Sequence, residues 1–389
     1  MREVCLLCTS STASATAAEP GRVNRRSMLA GLGGLAAVGG LAGCGSVSEP
    51  KAPTATSSAS VAAVPPDEKF ALVLLGTQAG PPIQPDRTGI ASALVVDGRT
   101  YVIDCGRAAA TQYVRAGLRQ RSLAAIFLTH LHADHIADYY NFFLLGANIP
   151  NTLGDLVTGP VAVYGPGPAG GLAPAFGGAQ VATVAPTDPT PGTAQMTAKA
   201  IEAYAYSSNV FMRDSAAPDV RDLIQVHEIN VPNVGANYLN RAPTIQPFPV
   251  MQDDRVSVTA TLVPHGPVFP AFAYRFDTAY GSVTFSGDTT KTPNLIGLAK
   301  NTDILVHEAI NVQGAHSLSP AAHDHMLQSH VMVQDVGPIA QQAQAKKLVL
   351  SHIGDLAGPL DVAKWTSWAR AGYDGPVTVG ADLQRFVIT

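Results

Sequence analysis

The chain has 389 residues, of which 46% are apolar and 14% charged, and its formal net charge is −4. This excludes a highly charged disordered chain, and 36 glycines with 29 prolines stay below the roughly 25–30% share that marks low-complexity sequence. An acidic balance without a basic stripe also argues against a dedicated nucleic-acid binder, so none is expected as a partner.

The first predicted element is an address. Arg25 and Arg26 precede a Gly/Ala-rich, mildly apolar stretch from Met28 to Gly43. A positive segment, a short apolar segment and small residues are the layout of a cleavable export signal. The paired arginines make it a twin-arginine type. Leu41-Ala42-Gly43-Cys44 resembles a bacterial lipobox, which makes Cys44 the lipidation site. Residues 46–66 are rich in Ser, Ala, Thr and Pro and read as a flexible tether. The expected organisation is a signal over 1–44, a tether over 45–68 and a folded domain over 69–389. Such a protein is exported and lipid-anchored at the periplasmic or cell-surface face of a bacterial membrane. Cys5 and Cys8 go with the leader, so Cys105 alone remains in the domain and no internal disulfide is expected.

From residue 69 onward, strands alternate with turns. Phe70–Leu75 is an apolar run ending at Gly76, and 93–96 with 101–103 forms a hairpin around Asp97-Gly98. A helix is expected over 111–121, and Ala124–Leu128 is a short buried strand. Val161–Tyr164 is a strand, 165–195 is loop-like, and 196–205 is helical. Val256–Val263 is a strand, and 271–276 with 282–285 forms a second hairpin. Ile304–His307, Leu348–Ser351 and Val377–Val379 are strands, with a helix over 333–345 despite Pro338. Residues 150–255 read as an insertion that shapes a pocket. Hairpins followed by strands with helices between them predict an α/β sheet sandwich covered by helices, in two similar halves.

The chemistry-bearing residues fall at strand ends. Thr129-His130-Leu131-His132-Ala133-Asp134-His135 follows the strand 124–128 directly. On the loop after a strand, His130 and His132 point the same way and can bind one ion, while Asp134 and His135 address a second. Imidazole with carboxylate suits zinc, and also manganese or iron. His265, Asp288 and His352 each close a later strand. They supply the two imidazoles and one carboxylate that a two-metal site still needs, and a carboxylate has two oxygens with which to bridge.

These residues together resemble the metallo-β-lactamase superfamily. The opening Leu75-Gly76-Thr77, the stretch Val306-His307-Glu308-Ala309 and His330 resemble its ribonuclease-Z-like branch, which also holds arylsulfatases and phosphodiesterases. The resemblance implies a four-layer αβ/βα sandwich with two mixed sheets, and two zinc ions. His130, His132 and His265 would hold one ion. Asp134, His135 and His352 would hold the other, with Asp288 between them. Asp104 would buttress the histidine-rich loop through hydrogen bonds. Glu308 would orient His330 towards the leaving group, so that Glu308, His330 and Asp134 carry the catalysis. The chain departs from the branch after His330, where Val331-Met332 replace Ser-Thr, and 150–255 lacks a basic tRNA-gripping arm.

Two adjacent cations lower the pKa of a shared water towards about 7, and the hydroxide formed attacks the ester. The expected activity is hydrolysis of a small-molecule sulfate ester or phosphodiester. Lactone or other carbonyl hydrolysis on the same metals is the alternative, and a non-catalytic metal-binding lipoprotein the third reading. Other residues are expected to be structural: His227 in a strand, His307 facing away from Glu308 in the core, Trp365 and Trp368 on a helix face, Phe269, Phe272 and Tyr274 in the core, and Cys105 as a buried thiol. His316, His323 and His325 are expected in a polar loop at the site mouth.

Overall fold

Phe70–Gly76 forms β1, and all seven residues are buried. A strand covered on both faces carries a continuous apolar run. Here Phe70, Leu72 and Leu74 enter one core while Val73 and Leu75 enter another. The computed structural model describes residues 68–388 except 179, 316 and 317. The export signal, Cys5, Cys8, Cys44, almost all of the tether and His316 lie outside the described residues.

β2 (Ala91–Val96) and β3 (Arg99–Ile103) make the first hairpin. Its turn residues Asp97 (φ 47°) and Gly98 (φ 79°) both take the left-handed backbone that twisted hairpins favour. α1 (Ala109–Arg115) and β4 (Leu123–Phe127) follow, then the short α2 (Ala133–Ile136) and α3 (Asn141–Leu144). β5 (Val161–Gly165), α4 (Thr193–Ala203), α5 (Ala205–Ser215), α6 (Val220–Leu223) and β6 (Ile224–Glu228) complete the first half. The second half runs β7 (Phe248–Gln252), β8 (Val256–Leu262), β9 (Phe272–Thr278), β10 (Gly281–Phe285), α7 (Pro293–Leu298) and β11 (Ile304–Asn311). It continues through α8 (Pro320–Ser329), α9 (Val333–Ala343), β12 (Leu348–Asp355), α10 (Val362–Arg370) and β13 (Val377–Val379). β14 (Arg385–Val387) returns to pair with β1.

The first sheet has the order β14-β1-β2-β3-β4-β5-β6, and the second β13-β12-β11-β10-β9-β8-β7. Each has an antiparallel side and a parallel side of three strand pairings, so the two halves share one plan. One apolar core lies between the sheets, with Phe127 and Leu72 meeting Phe276 and Val258. A second seals α1 to α3 onto the first sheet, and a third seals α7, α9 and α10 onto the other. The result is the expected α/β sandwich of four layers. Among the described residues no helix is long and apolar enough to cross a membrane.

Three local expectations need correction. The 150–255 stretch is not set apart from the sheets, because it supplies β5, β6 and β7; within it the 166–191 connection and Met196 of α4 wall a cavity. The helix expected over 111–121 stops at Arg115, and Gln120–Ser122 forms a separate 3₁₀ turn. Gly117, at φ 76°, sits in the break, a conformation that suits glycine and ends helices. The polar stretch before His330 is not a loop but α8. The Ser319 hydroxyl caps it by accepting the Ala322 amide (3.2 Å), and Pro320 stands at its first position.

Candidate metal centre and active site

The histidine-rich segment leaves the end of β4, and three buried groups fix its shape. Asp104, at the end of β3, takes the left-handed backbone (φ 57°). Its Oδ1 accepts the amide of Thr129 (2.8 Å), and the Thr129 hydroxyl donates to Oδ2 (2.9 Å). The same Oδ2 lies 2.8 Å from His135 Nδ1. Asp104 therefore holds both ends of the segment, as the resemblance implied. Thr129 Oγ1 is also 3.1 Å from His130 Nδ1.

Each outer contact selects a tautomer. When Nδ1 carries the proton to an oxygen, Nε2 keeps a lone pair for a cation. The contacts allow this arrangement at His130, at His265, whose Nδ1 lies 2.9 Å from the Ser329 carbonyl oxygen, and at His135 once a cation takes the place of the Nε2 proton. His132 differs and presents Nδ1, 3.1 Å from His265 Nε2.

Asp288 comes from the loop after β10. Gly287 before it is at φ 57°, and a Cβ there would meet the Phe272 carbonyl oxygen at 2.5 Å. Asp288 Oδ2 then sits among five imidazoles. It is 3.2 Å from His352 Nε2, 3.3 Å from His135 Nε2 and 3.7 Å from His265 Nε2. His130 Nε2 and His330 Nδ1 each stand 3.9 Å away.

His352 reaches this place through a bulge. Along β11 and β12, His307 pairs with Leu350 but Ala309 with Ile353, so two residues of β12 oppose one of β11. His352, at φ 52°, is the displaced residue. Such bulges re-aim a side chain without ending the sheet. Asp134 completes the set, with Oδ2 3.3 Å from His352 Nε2 and accepting the Gly80 amide at 3.0 Å.

The seven expected ligands thus converge. His130, His132 and His265 form one group, and Asp134, His135, Asp288 and His352 another, with donor atoms within 4.8 Å inside each. The nitrogens His130 Nε2 and His135 Nε2 and the oxygen Asp288 Oδ1 are buried without a hydrogen-bond partner. Buried polar atoms left unpaired are costly, and cation binding at these donors satisfies them. The residues present therefore fit a divalent metal centre.

Burial holds His130 and His265 well below the usual imidazole pKa, which keeps them neutral. At His135 burial acts in the same direction, but Asp288 and Asp104 outweigh it and raise the pKa well above the usual value. Burial also opposes charge on Asp288, yet His352 and His135 hold it well below the carboxylate range.

Glu308 and His330 stand beside this cluster. Glu308 Oε1 accepts the Val331 amide at 2.8 Å, and Oε2 is 3.4 Å from His330 Nδ1. The Glu308 amide donates to Ser286 Oγ (3.0 Å). A backbone N–H after His330 thus steadies Glu308, which the Val331-Met332 departure leaves intact. Burial works against a charged His330, but Glu308 and Asp288 push its pKa up to about 9.

His307 is buried as expected but only half satisfied: Nδ1 meets the Glu308 carbonyl oxygen at 2.6 Å while Nε2 has no partner. His227 is exposed and stacks on Tyr164 (centroids 4.9 Å apart). His325 packs edge-on against Phe176 and lines the site mouth. Phe272 and Tyr274 are core residues, and Phe269, half-buried, packs against the same core while also walling a cavity. Trp365 is buried and donates to Asp355 (2.8 Å), and Cys105 is a buried free thiol. Sequence reasoning gave no role to Gly80, Ser286, Ser329 or the Thr129 side chain. Only Thr129 carried a signal, as the residue directly before the histidine run.

Comparison with known proteins fits this geometry. Residues 86–144, which span Asp104 and the whole histidine-rich segment, match the family model described as the metallo-beta-lactamase superfamily. Over that segment the chain is similar to the metallo-beta-lactamase superfamily. It is 27% identical over 315 residues to a protein named ribonuclease Z from Mycobacterium bovis, covering 81% of this chain and 96% of that one. A ribonuclease Z from Mycobacterium sp. strain KMS is 28% identical over 317 residues, 81% and 94% of the two chains. Among solved structures, human tRNase Z short form aligns with a TM-score of 0.54 at 21% identity, over 82% of this chain and 99% of the other. The metallo-beta-lactamase fold protein YhfI from Bacillus subtilis aligns with a TM-score of 0.53 at 15% identity, over 82% and 98%. These two share the fold. The family match over the histidine-rich segment and the ribonuclease Z relatives mark the chain as a metal-dependent hydrolase.

Proposed function

We propose that this protein hydrolyses an ester bond of a small molecule, a phosphodiester or sulfate ester, with two divalent ions, zinc first among them. The observation that carries this reading is Asp288 Oδ2 lying between two donor groups, 3.2–3.9 Å from five imidazoles. His130, His132 and His265 would hold one ion, Asp134, His135 and His352 the other, and Asp288 both. When bound, such a pair supplies Lewis-acid charge and makes water nucleophilic near neutral pH.

The chain's own residues then divide the remaining work. Asp134, fixed by the Gly80 amide, accepts a hydrogen bond from the attacking water and orients it. The water oxygen bonds to the central atom of the ester, and the bond to the leaving oxygen breaks. His330 gives that oxygen its proton from the ring, and Glu308 beside Nδ1 keeps the ring oriented and charged. The proton shed by the water returns to solvent. Asp104 acts earlier, by holding His135 and Thr129 in place.

Although several relatives are named ribonucleases, RNA is not the substrate in this reading. Among the described residues, neither of the two cavities beside the site is lined by lysine or arginine, and a polynucleotide is held mainly through its phosphates. The export signal and Cys44 would tether the hydrolase outside the cytoplasm.

The test is metal content measured alongside turnover of an aryl sulfate, a bis-aryl phosphate and a lactone. His130→Ala combined with His132→Ala should lose metal and turnover together. Normal turnover by the metal-poor double variant would remove the proposal. Turnover of the lactone alone would replace it with carbonyl hydrolysis. Labelling with a fatty acid that Cys44→Ser abolishes would support the anchor; unlabelled wild-type protein would refute it.

A further inference from the structure

Two cavities open beside the donor cluster, and His132 lines both. One, of about 500 Å³, is also lined by Asp134, Asp288, His330 and His352. Pro81, Pro82, Ile310, Met326 and Leu356 are also among its lining residues. The second, of about 660 Å³, has no other member of the cluster on its wall. Leu131, Ile136, Leu172, Ala173, Met196 and Phe269 are among its lining residues, and among the described residues His132 is the only titratable one there. Among the described residues, the one carboxylate, lysine or arginine lining the first cavity outside the cluster is Asp355. Its carboxylate is engaged by Trp365 Nε1 (2.8 Å) and Asn311 Nδ2 (3.0 Å).

Chemistry assigns a direction to the two lobes. A general acid must reach the leaving oxygen. His330 lines the first lobe and not the second, so the leaving group lies in the first. The second lobe, reached past His132, faces the group that stays on the reacting atom. A sulfate monoester has no organic group there. A phosphodiester or a carboxylic ester does. Among the described residues neither lobe is lined by lysine or arginine, and both are walled mainly by carbon, as binding sites for apolar groups are.

We infer that the substrate is a two-armed ester, apolar on both sides of the reacting atom, with the retained arm in the lobe formed by 166–175, 189–196 and 267–270. This rests on the ester-hydrolase reading above, removes the sulfate ester from it and admits the carboxylic ester beside the phosphodiester. Phosphodiesters and carboxylic esters share this shape, and a substrate panel separates them.

The experiment holds the leaving group constant. Nitrophenyl phosphodiesters with a methyl, butyl or octyl retained arm are compared with nitrophenyl carboxylates of matching length and with nitrophenyl sulfate. In the accepted series kcat/KM should rise about three- to fourfold for each buried methylene until the lobe is filled. Ala173→Trp, checked for full metal content, should flatten that rise. Inert dialkyl phosphinates of the same lengths, titrated calorimetrically into the metal-loaded protein, should tighten with the same slope. A flat slope in both turnover and binding overturns the two-armed substrate even if short esters are cleaved. So does a sulfate monoester preferred over every diester. A steep binding slope without turnover of any ester leaves the lobe assignment standing and overturns the hydrolase reading.

Discussion

Asp288 Oδ2 stands 3.2 Å from His352 Nε2, and the contact depends on the extra residue that β12 carries opposite β11. One donor is placed by a loop, the other by an irregularity inside a sheet. Asp288→Asn keeps the shape and removes the charge that five imidazoles surround. Loss of an outer support at a metal site costs about 10–100-fold in affinity, and this substitution should cost more. Metal analysis should show less than the wild-type content, with turnover lost in parallel. Full metal content in the variant would show that Asp288 is no ligand.

Asp104 touches no cation in the proposed arrangement, yet it orders the loop that supplies four ligands. Asp104→Asn should preserve the fold, seen as an unchanged circular dichroism spectrum. It should weaken metal binding about 10–100-fold, read by competition with a chelator. Unchanged affinity would mean that the loop holds its shape without the carboxylate.

His330→Ala should leave metal content intact and separate substrates by their leaving groups. Removing a general acid costs roughly 10²–10⁴-fold. That loss should appear in full for alkoxide leaving groups and shrink for nitrophenolate, which departs without a proton. An equal loss on both would point to a structural role for His330.

Gly287→Ala places a Cβ 2.5 Å from a backbone carbonyl at a left-handed φ. Because the obstacle is main chain, the Asp288 loop must move. The expected result is a lower melting temperature with reduced metal content. A variant with wild-type melting and loading would show that the loop has slack.

Far from the site, Asp155 ties the start of β4. Its carboxylate accepts from the Gln120 amide (2.7 Å) and from Arg121 Nε (2.7 Å). Burial raises its pKa, but Arg121 and these amides outweigh burial and leave it lowered. A lowered folded pKa contributes stability above the unfolded value of about 3.9, and that contribution is lost as pH falls through the folded value. Asp155→Asn should therefore lower stability at pH 7 by about 1–3 kcal/mol, and the gap to wild type should narrow in acid below about pH 3.9. A gap that stays constant with pH would show that the charge contributes nothing.

Much of the site was legible because its donors sit where strands end. His130 to His135, His265 and Asp288 all follow strands marked by apolar runs and turn residues. His352 was legible as a histidine at a strand end, but its aim was not. The strand continues to Asp355, and the bulge at 351–352 leaves no mark in residue type. β5 was readable from Val161–Tyr164, whereas β7 was missed because Pro249 interrupts its pattern. α8 was missed because Ser, His and Asp hid its cap and its proline start. The two lobes were illegible, since they form where distant segments such as 166–175 and 267–270 meet.

The donors are divided between the halves: four follow β4 of the first sheet, and His265, Asp288 and His352 belong to the second. Neither half alone offers a full coordination set. Loaded cations would therefore act as a clasp across the sandwich, and stripping them should loosen the seam between its leaves before either leaf melts.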